Sequence, residues 1–141
     1  MAEISLIRKR LRSEIDAARK SAAERRQRTA AADKAYEFFL IGVAVPVFRQ
    51  IANALRSENL QFEVQTPSNG VRLTSDRNRD GIEIELDATV DPPVPMIVTT
   101  YAKGSRVVRN ERPIKPDATI ESITEDDVIE RVMEEIRPWL G

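Results

Sequence analysis

The sequence predicts an α+β fold in which helices pack on one antiparallel sheet. Three observations predict it: an apolar stretch with helical spacing from Tyr36 to Arg56, short alternating segments across residues 61–112, and an apolar helical stripe across residues 124–138. A chain of 141 residues has room for one domain with a hydrophobic core. We therefore expect a charged helical arm over residues 1–34 and a single α+β domain over residues 35–141.

The arm is rich in alanine, arginine, glutamate and lysine and contains neither glycine nor proline, which favours a long helix. Its large apolar residues recur near heptad spacing and form one narrow stripe. A stripe this narrow cannot stabilise an isolated helix of about 30 residues, so the helix needs a partner. The sequence therefore predicts a surface that binds a protein partner or a second copy of the chain, with these residues at its centre: Ile4, Ile7, Leu11 and Ile15.

The arm also carries an excess of basic residues, ten against five acids over positions 1–34, whereas positions 117–141 hold eight acids against two arginines. Three interpretations remain open. The charges form a solvated helix face with i,i+4 pairs, or they pair with the acidic C-terminal helix within one chain or between two. In the third interpretation they bind nucleic-acid phosphates, as in a small nucleic-acid-associated protein. The residues concerned are Arg8, Lys9, Arg10, Arg12, Arg19, Lys20, Arg25, Arg26 and Arg28.

The central stretch predicts a helix over residues 35–58 that is apolar on most of its surface and must be covered on more than one side. Pro46 removes a backbone donor, so it should kink this helix or begin a new one. The strongly apolar run from Phe38 to Phe48 is shorter than the roughly 20 residues that a bilayer requires. We therefore expect a core helix and no membrane segment.

The strand segments predict a four- to five-stranded antiparallel meander with one solvated face. Residues 61–75 are typical of a hairpin, because alternating segments flank a turn that contains Asn69 and Gly70. Residues 81–87 alternate most clearly, and a proline-containing loop at 91–95 separates them from two further strands. The last strand alternates poorly and is expected at the sheet edge.

The end of the chain predicts a helix packed on the sheet. Thr124 is a suitable N-cap, and three acids follow it in the first turn. One apolar stripe is expected to face the core, and Trp139 is expected to tuck back with Leu140. The stripe consists of Val128, Ile129, Val132, Met133, Ile136 and Leu140.

One local pattern matches the spacing of oxygen ligands in a calcium-binding loop. Its residues are Asp76, Asn78, Asp80 and Asp87. The flanking segments are typical of strands rather than helices, so the pattern also fits a polar hairpin turn. The acids of the third strand, Glu83, Glu85 and Asp87, could instead hold Mg²⁺ in a carboxylate-metal hydrolase.

The composition excludes several classes of chemistry. The chain has no cysteine and no histidine, which removes disulfides, Cys/His zinc sites, thiolate nucleophiles and serine–histidine triads. It has no phosphate-binding loop motif and no N-terminal apolar signal region. We therefore expect a cytoplasmic, non-enzymatic oligomerising or adaptor protein without a cofactor, and the nucleic-acid-associated protein and the metal hydrolase are the alternatives.

Overall fold

The computed structural model describes residues 3–77 and 80–140. It has the α+β architecture that the sequence predicts. The helices are α1 (Ile4–Phe39), α2 (Val45–Ser57), α3 (Glu125–Glu135) and the short α4 (Arg137–Leu140). A π-helical segment, Leu40–Ala44, joins α1 to α2, and a 3₁₀ turn, Ile120–Ser122, precedes α3.

Five antiparallel strands form one sheet in the order β1-β2-β3-β4-β5, so the predicted meander is confirmed. The strands are β1 (Phe62–Gln65), β2 (Val71–Ser75), β3 (Gly81–Asp87), β4 (Val94–Lys103) and β5 (Arg106–Pro113). In the register, Leu73 lies opposite both Val64 and Ile82, and Ile84 lies opposite Ile97. These residues therefore share one face, because side chains alternate along a strand. β5 lies at the edge, as expected.

The two helices before the sheet follow one another without a loop, so α1, the π-helical segment and α2 form one helical run from Ile4 to Ser57, 54 residues in length. In the π-helical segment, the Val45 amide donates to the Leu40 carbonyl five residues earlier. Pro46 follows in the first turn of α2, where its missing amide hydrogen costs little. The wider π turn accommodates the proline and lets the helix continue through it.

The hydrophobic core lies between the apolar face of the sheet and the helices α2 and α3. From α2, Phe48 is fully buried, and from α3 both Val128 and Val132 are fully buried. The other sheet face is solvated and carries cross-strand ion pairs. In one, Arg72 lies 3.2 Å from Glu83.

The N-terminus of α3 is fixed by a reciprocal cap, which confirms Thr124 as the N-cap. The Asp127 amide donates to the Thr124 hydroxyl, and the Asp127 carboxylate accepts from the Thr124 amide. The bond from the Thr124 amide, aided by Lys115, holds the pKa of Asp127 below its ordinary value. The helix is tied to the sheet by Glu135, which accepts from buried Thr99 and from Arg112.

Candidate interaction surfaces

The first candidate surface is the arm stripe, which we define as Ile4, Ile7, Leu11 and Ile15. All four side chains are exposed, and Ile4 and Leu11 retain 71% and 57% of their accessible surface. No other element of the described chain covers the helix before Ala22. The structure thus leaves uncovered the residues that the sequence predicts to bind a partner.

The arm stripe lies on the same side of the helix as the residues that pack against the domain. Ala18 continues the stripe and lies 18 residues, or five helical turns, before Tyr36. Tyr36 is fully buried against the domain. A molecule that covers the stripe would therefore lie alongside the end of the domain.

Two contacts anchor the helix to the sheet where the arm ends. Arg28 donates two hydrogen bonds to the carboxylate of Asp91, in the loop between β3 and β4, the shorter at 2.9 Å. These bonds hold the pKa of Asp91 below its ordinary value. The Tyr36 hydroxyl donates to the Asn69 carbonyl at 2.9 Å, and burial raises the pKa of that hydroxyl. From Ile4 to Arg28 the arm extends about 36 Å at 1.5 Å per residue.

The basic residues of the arm do not form the i,i+4 ion pairs that the first interpretation of its charge predicts. Within residues 3–27, no basic side chain forms an ion pair, whereas Arg28 is bound to Asp91. The basic residues without an ion pair are all exposed. They are Arg8, Lys9, Arg10, Arg12, Arg19, Lys20, Arg25 and Arg26. Their charge is thus available to a partner.

A second candidate surface is an apolar groove of about 480 Å³ between α2 and α3, which we call the α2–α3 groove. Met133 and Leu140 lie on its α3 side and retain 43% and 53% of their accessible surface. The prediction that these two residues face the core is therefore wrong. Their helical positions lie at the edge of the apolar stripe, whose buried centre consists of Val128, Val132 and Ile136. The groove is lined by Ile51, Ala54, Leu55, Glu58, Leu60, Met133, Ile136 and Leu140.

Trp139 does turn back onto the domain. Its ring stacks on Phe62 of β1 with the ring centroids 5.0 Å apart. Its indole nitrogen is buried and donates to no described acceptor. Leu140 does not follow Trp139 into the domain and remains at the surface, because side chains at successive helical positions point in different directions.

A third apolar surface lies near the end of α1, where Phe38 and Ile41 are strongly exposed. Phe38 borders a groove of about 520 Å³ between the helix and the 3₁₀ turn that contains Ile120. Periodicity predicts that this helix is apolar all round, but it does not show which side the domain leaves open.

The residues of the predicted calcium loop do not form one site among the described residues. Asp80 precedes β3 and Asp87 ends it, so seven extended residues hold them about 23 Å apart. These two carboxylates cannot bind the same ion. Asp80 accepts from the Ala102 amide, Asp87 accepts from Thr89, and Asp76 is exposed. Asn78 lies outside the described residues.

The acids of the suggested hydrolase site likewise bind other side chains of the protein. Glu83 pairs with Arg72, and Glu85 lies 3.2 Å from Arg109. Hydrogen bonds from Thr89 lower the pKa of Asp87. Across residues 3–77 and 80–140, no three acidic side chains are grouped closely enough to hold a metal ion.

By length and composition alone, the helix Ile4–Ser57 contains a stretch apolar enough to cross a membrane. Buried core helices meet the same criterion. In this helix, Tyr36, Phe48 and Ile51 are buried against the domain, whereas Phe38 and Ile41 are exposed. The criterion therefore does not distinguish a membrane span from a core helix here.

Comparison with known proteins gives no relative: no family model, no curated protein and no solved structure matches the chain. The surfaces of the chain itself therefore provide the basis for a functional proposal.

Proposed function

We propose that this chain is a non-enzymatic protein-binding and oligomerising module within a larger cytoplasmic assembly, and that the arm stripe is its binding surface. The observation that supports the proposal is an uncovered apolar stripe on a helix that extends about 36 Å beyond its first anchor at Arg28. Large apolar side chains recurring on one helix face are typical of a helix that docks in a groove or on another helix.

The energetics of the arm support the same proposal. In proteins most helical stability comes from tertiary packing of an apolar face, and the arm before Ala22 has no such packing within the described chain. Covering Ile4, Ile7, Leu11 and Ile15 would contribute about 1.5–3 kcal/mol for each side chain that becomes fully buried. A partner on the stripe would therefore stabilise the arm.

Substitution of Leu11 by aspartate tests the proposal. We expect Leu11→Asp to remove self-association, measured as solution mass by size exclusion with light scattering, because a charge would then lie in the centre of the interface. Leu6→Asp is a matched control, since Leu6 is similarly exposed at 52% but lies on another face of the same helix. Unchanged mass of the Leu11→Asp variant, or equal effects of the two variants, would contradict a role for the arm stripe.

A second candidate function is supported by the basic side chains of the arm that form no ion pair. If they bind phosphates, retention on duplex DNA should fall steeply with salt and show little sequence preference. Replacing Arg8, Arg12, Arg19 and Arg26 with glutamine should abolish that retention. Leu11→Asp should leave it intact, so the two variants separate the two functions.

A further inference from the structure

The continuity of the long helix limits where its arm can bind. The arm and α2 belong to one helix from Ile4 to Ser57, and α3 packs beside α2. The arm therefore points away from the domain and cannot reach the α3 helix of its own chain unless the helix breaks. Pairing of the arginine-rich arm before Arg28 with the acidic residues of α3 can thus occur only between chains.

The charges beside the arm stripe oppose antiparallel pairing of two arms with each other. Four arginines follow one side of the stripe at helical spacing, and we call them the arginine row: Arg8, Arg12, Arg19 and Arg26. An antiparallel pair of arms would set this row against its own copy. A parallel pair would set it against the opposite flank, which holds Arg10 and two acids, Glu3 and Glu14, and would not be repelled there.

The outer side of α3 has the opposite charge. Asp126, Glu130 and Glu134 recur every four residues and form one ridge, which we call the acidic ridge. Glu134 is bound to Arg131 at 2.8 Å, whereas neither Asp126 nor Glu130 has an ion pair among the described residues. The carboxylates of Asp126 and Glu130 thus lie unpaired beside exposed apolar surface.

The acidic ridge adjoins the α2–α3 groove. Met133, which lines the groove, lies three residues after Glu130 and therefore next to it on the helix surface. Glu58 adds a further acid at the groove, and Arg137 is the basic residue nearby on the same helical side. Apolar surface bordered by net negative charge complements the arm, whose apolar stripe is bordered by arginines.

We propose that the arm stripe of one chain binds the α2–α3 groove of a second copy, with the arginine row facing the acidic ridge. This inference rests on the proposed function and names its partner. Each chain offers one arm and one groove, so the contact is between two different surfaces. Two chains that exchange arms form a closed dimer, and chains that do not exchange reciprocally form a larger ring or a fibre.

Charge reversal on each surface tests the proposed contact. One full-length variant carries Arg8→Glu with Arg12→Glu, and the other carries Asp126→Lys with Glu130→Lys. We expect each variant alone to have the solution mass of a single chain, because arm and ridge then carry like charges. An equimolar mixture should regain the mass of the unmodified assembly, since each arm now meets a ridge of opposite charge.

Two controls accompany this experiment. Asp33→Lys with Glu63→Lys makes the same charge change at exposed positions away from the groove and should keep the assembly intact. Met133→Asp places a charge in the exposed part of the groove without changing the core, and it should reduce the assembly to single chains. Circular dichroism of each variant checks that the fold is kept.

The outcomes separate this inference from the proposed function. If Leu11→Asp dissociates the assembly but both Met133→Asp and the acidic-ridge variant leave it intact, the groove is not the receiving surface and the arm stripe still binds elsewhere. If the mixed variants remain single chains, the charge pairing is wrong. If the unmodified chain is a single chain at every concentration, this inference and the oligomerising part of the proposed function fail, whereas binding of the arm stripe to a different protein is not contradicted.

Discussion

The two halves of the long helix share one backbone but differ in what stabilises them. The C-terminal half packs on the sheet, where Val47, Phe48, Ile51 and Leu55 are buried. The N-terminal half carries comparable apolar side chains, yet those of the arm stripe are exposed. The same local structure is thus held by tertiary packing in one half and by helix propensity in the other.

This difference shows that helix continuity and burial are separate properties. Alanine and charged residues extend the helix past the domain, because nothing before Gly42 interrupts it. The anchors at Arg28 and Tyr36 then fix the direction in which the arm points. A helical arm that projects from these anchors presents its stripe outside the domain, where a partner can reach it.

The largest effect is expected from a core substitution in the packed half. Phe48→Ala should lower the free energy of unfolding by about 3–5 kcal/mol, because it removes a fully buried aromatic ring and leaves a cavity. Ile15→Ala on the arm, measured in dilute solution by urea denaturation, should change that free energy by less than about 0.5 kcal/mol. Similar losses for the two variants would show that the arm is packed in the isolated chain.

A proline in the arm should separate the two halves. Ala23→Pro removes one helical hydrogen bond and clashes with the preceding turn, which costs about 3 kcal/mol locally. We expect backbone amides of residues 4–22 to exchange rapidly with solvent while those of α2 and the sheet keep their protection. Ala23→Ser is the control. Rapid exchange across the sheet of the proline variant would mean that the arm stabilises the domain.

The smallest effect is expected at the ion pair between Arg28 and Asp91, which anchors the helix to the loop between β3 and β4. The pKa of Asp91 in the folded chain is lowered by the bonds from Arg28, so this pair stabilises the folded state above the unfolded value of about 3.9. That stabilisation is lost as the pH falls through the lower, folded pKa. NMR titration of the Asp91 carboxyl should show a higher pKa in Arg28→Gln, whereas Arg26→Gln should leave it unchanged. An Asp91 pKa unaffected by Arg28→Gln would show that the anchor does not form in solution.

Much of the fold follows from local signals in the sequence. Alternation predicts β3, the turn at Asn69 and Gly70 separates β1 from β2, and Thr124 marks the start of α3. These features depend on neighbouring residues, so their pattern is visible along the chain. The calcium-loop pattern is the counterexample, because ligand spacing along the chain does not show that an extended strand separates Asp80 from Asp87.

The sequence also identifies the arm stripe as an apolar surface without an evident cover. It does not identify the α2–α3 groove, because Met133 and Leu140 belong to an apolar stripe whose buried width depends on how α3 sits against α2. Periodicity gives the faces of a helix, whereas the packing geometry decides how much of each face is covered.

The sequence by itself determined the α+β class, the order of the elements, the charge asymmetry between the two ends and the narrow apolar stripe of the arm. These depend on composition and on periodicities of 2 and 3.6 residues, which are local. Only the tertiary structure decided that the helix continues past Pro46, that Arg28 and Tyr36 fix the arm, and that the groove stays open. The anchors and the groove depend on contacts between residues far apart in the chain, which leave no periodic signal in the sequence, whereas the passage through Pro46 depends on a local π turn.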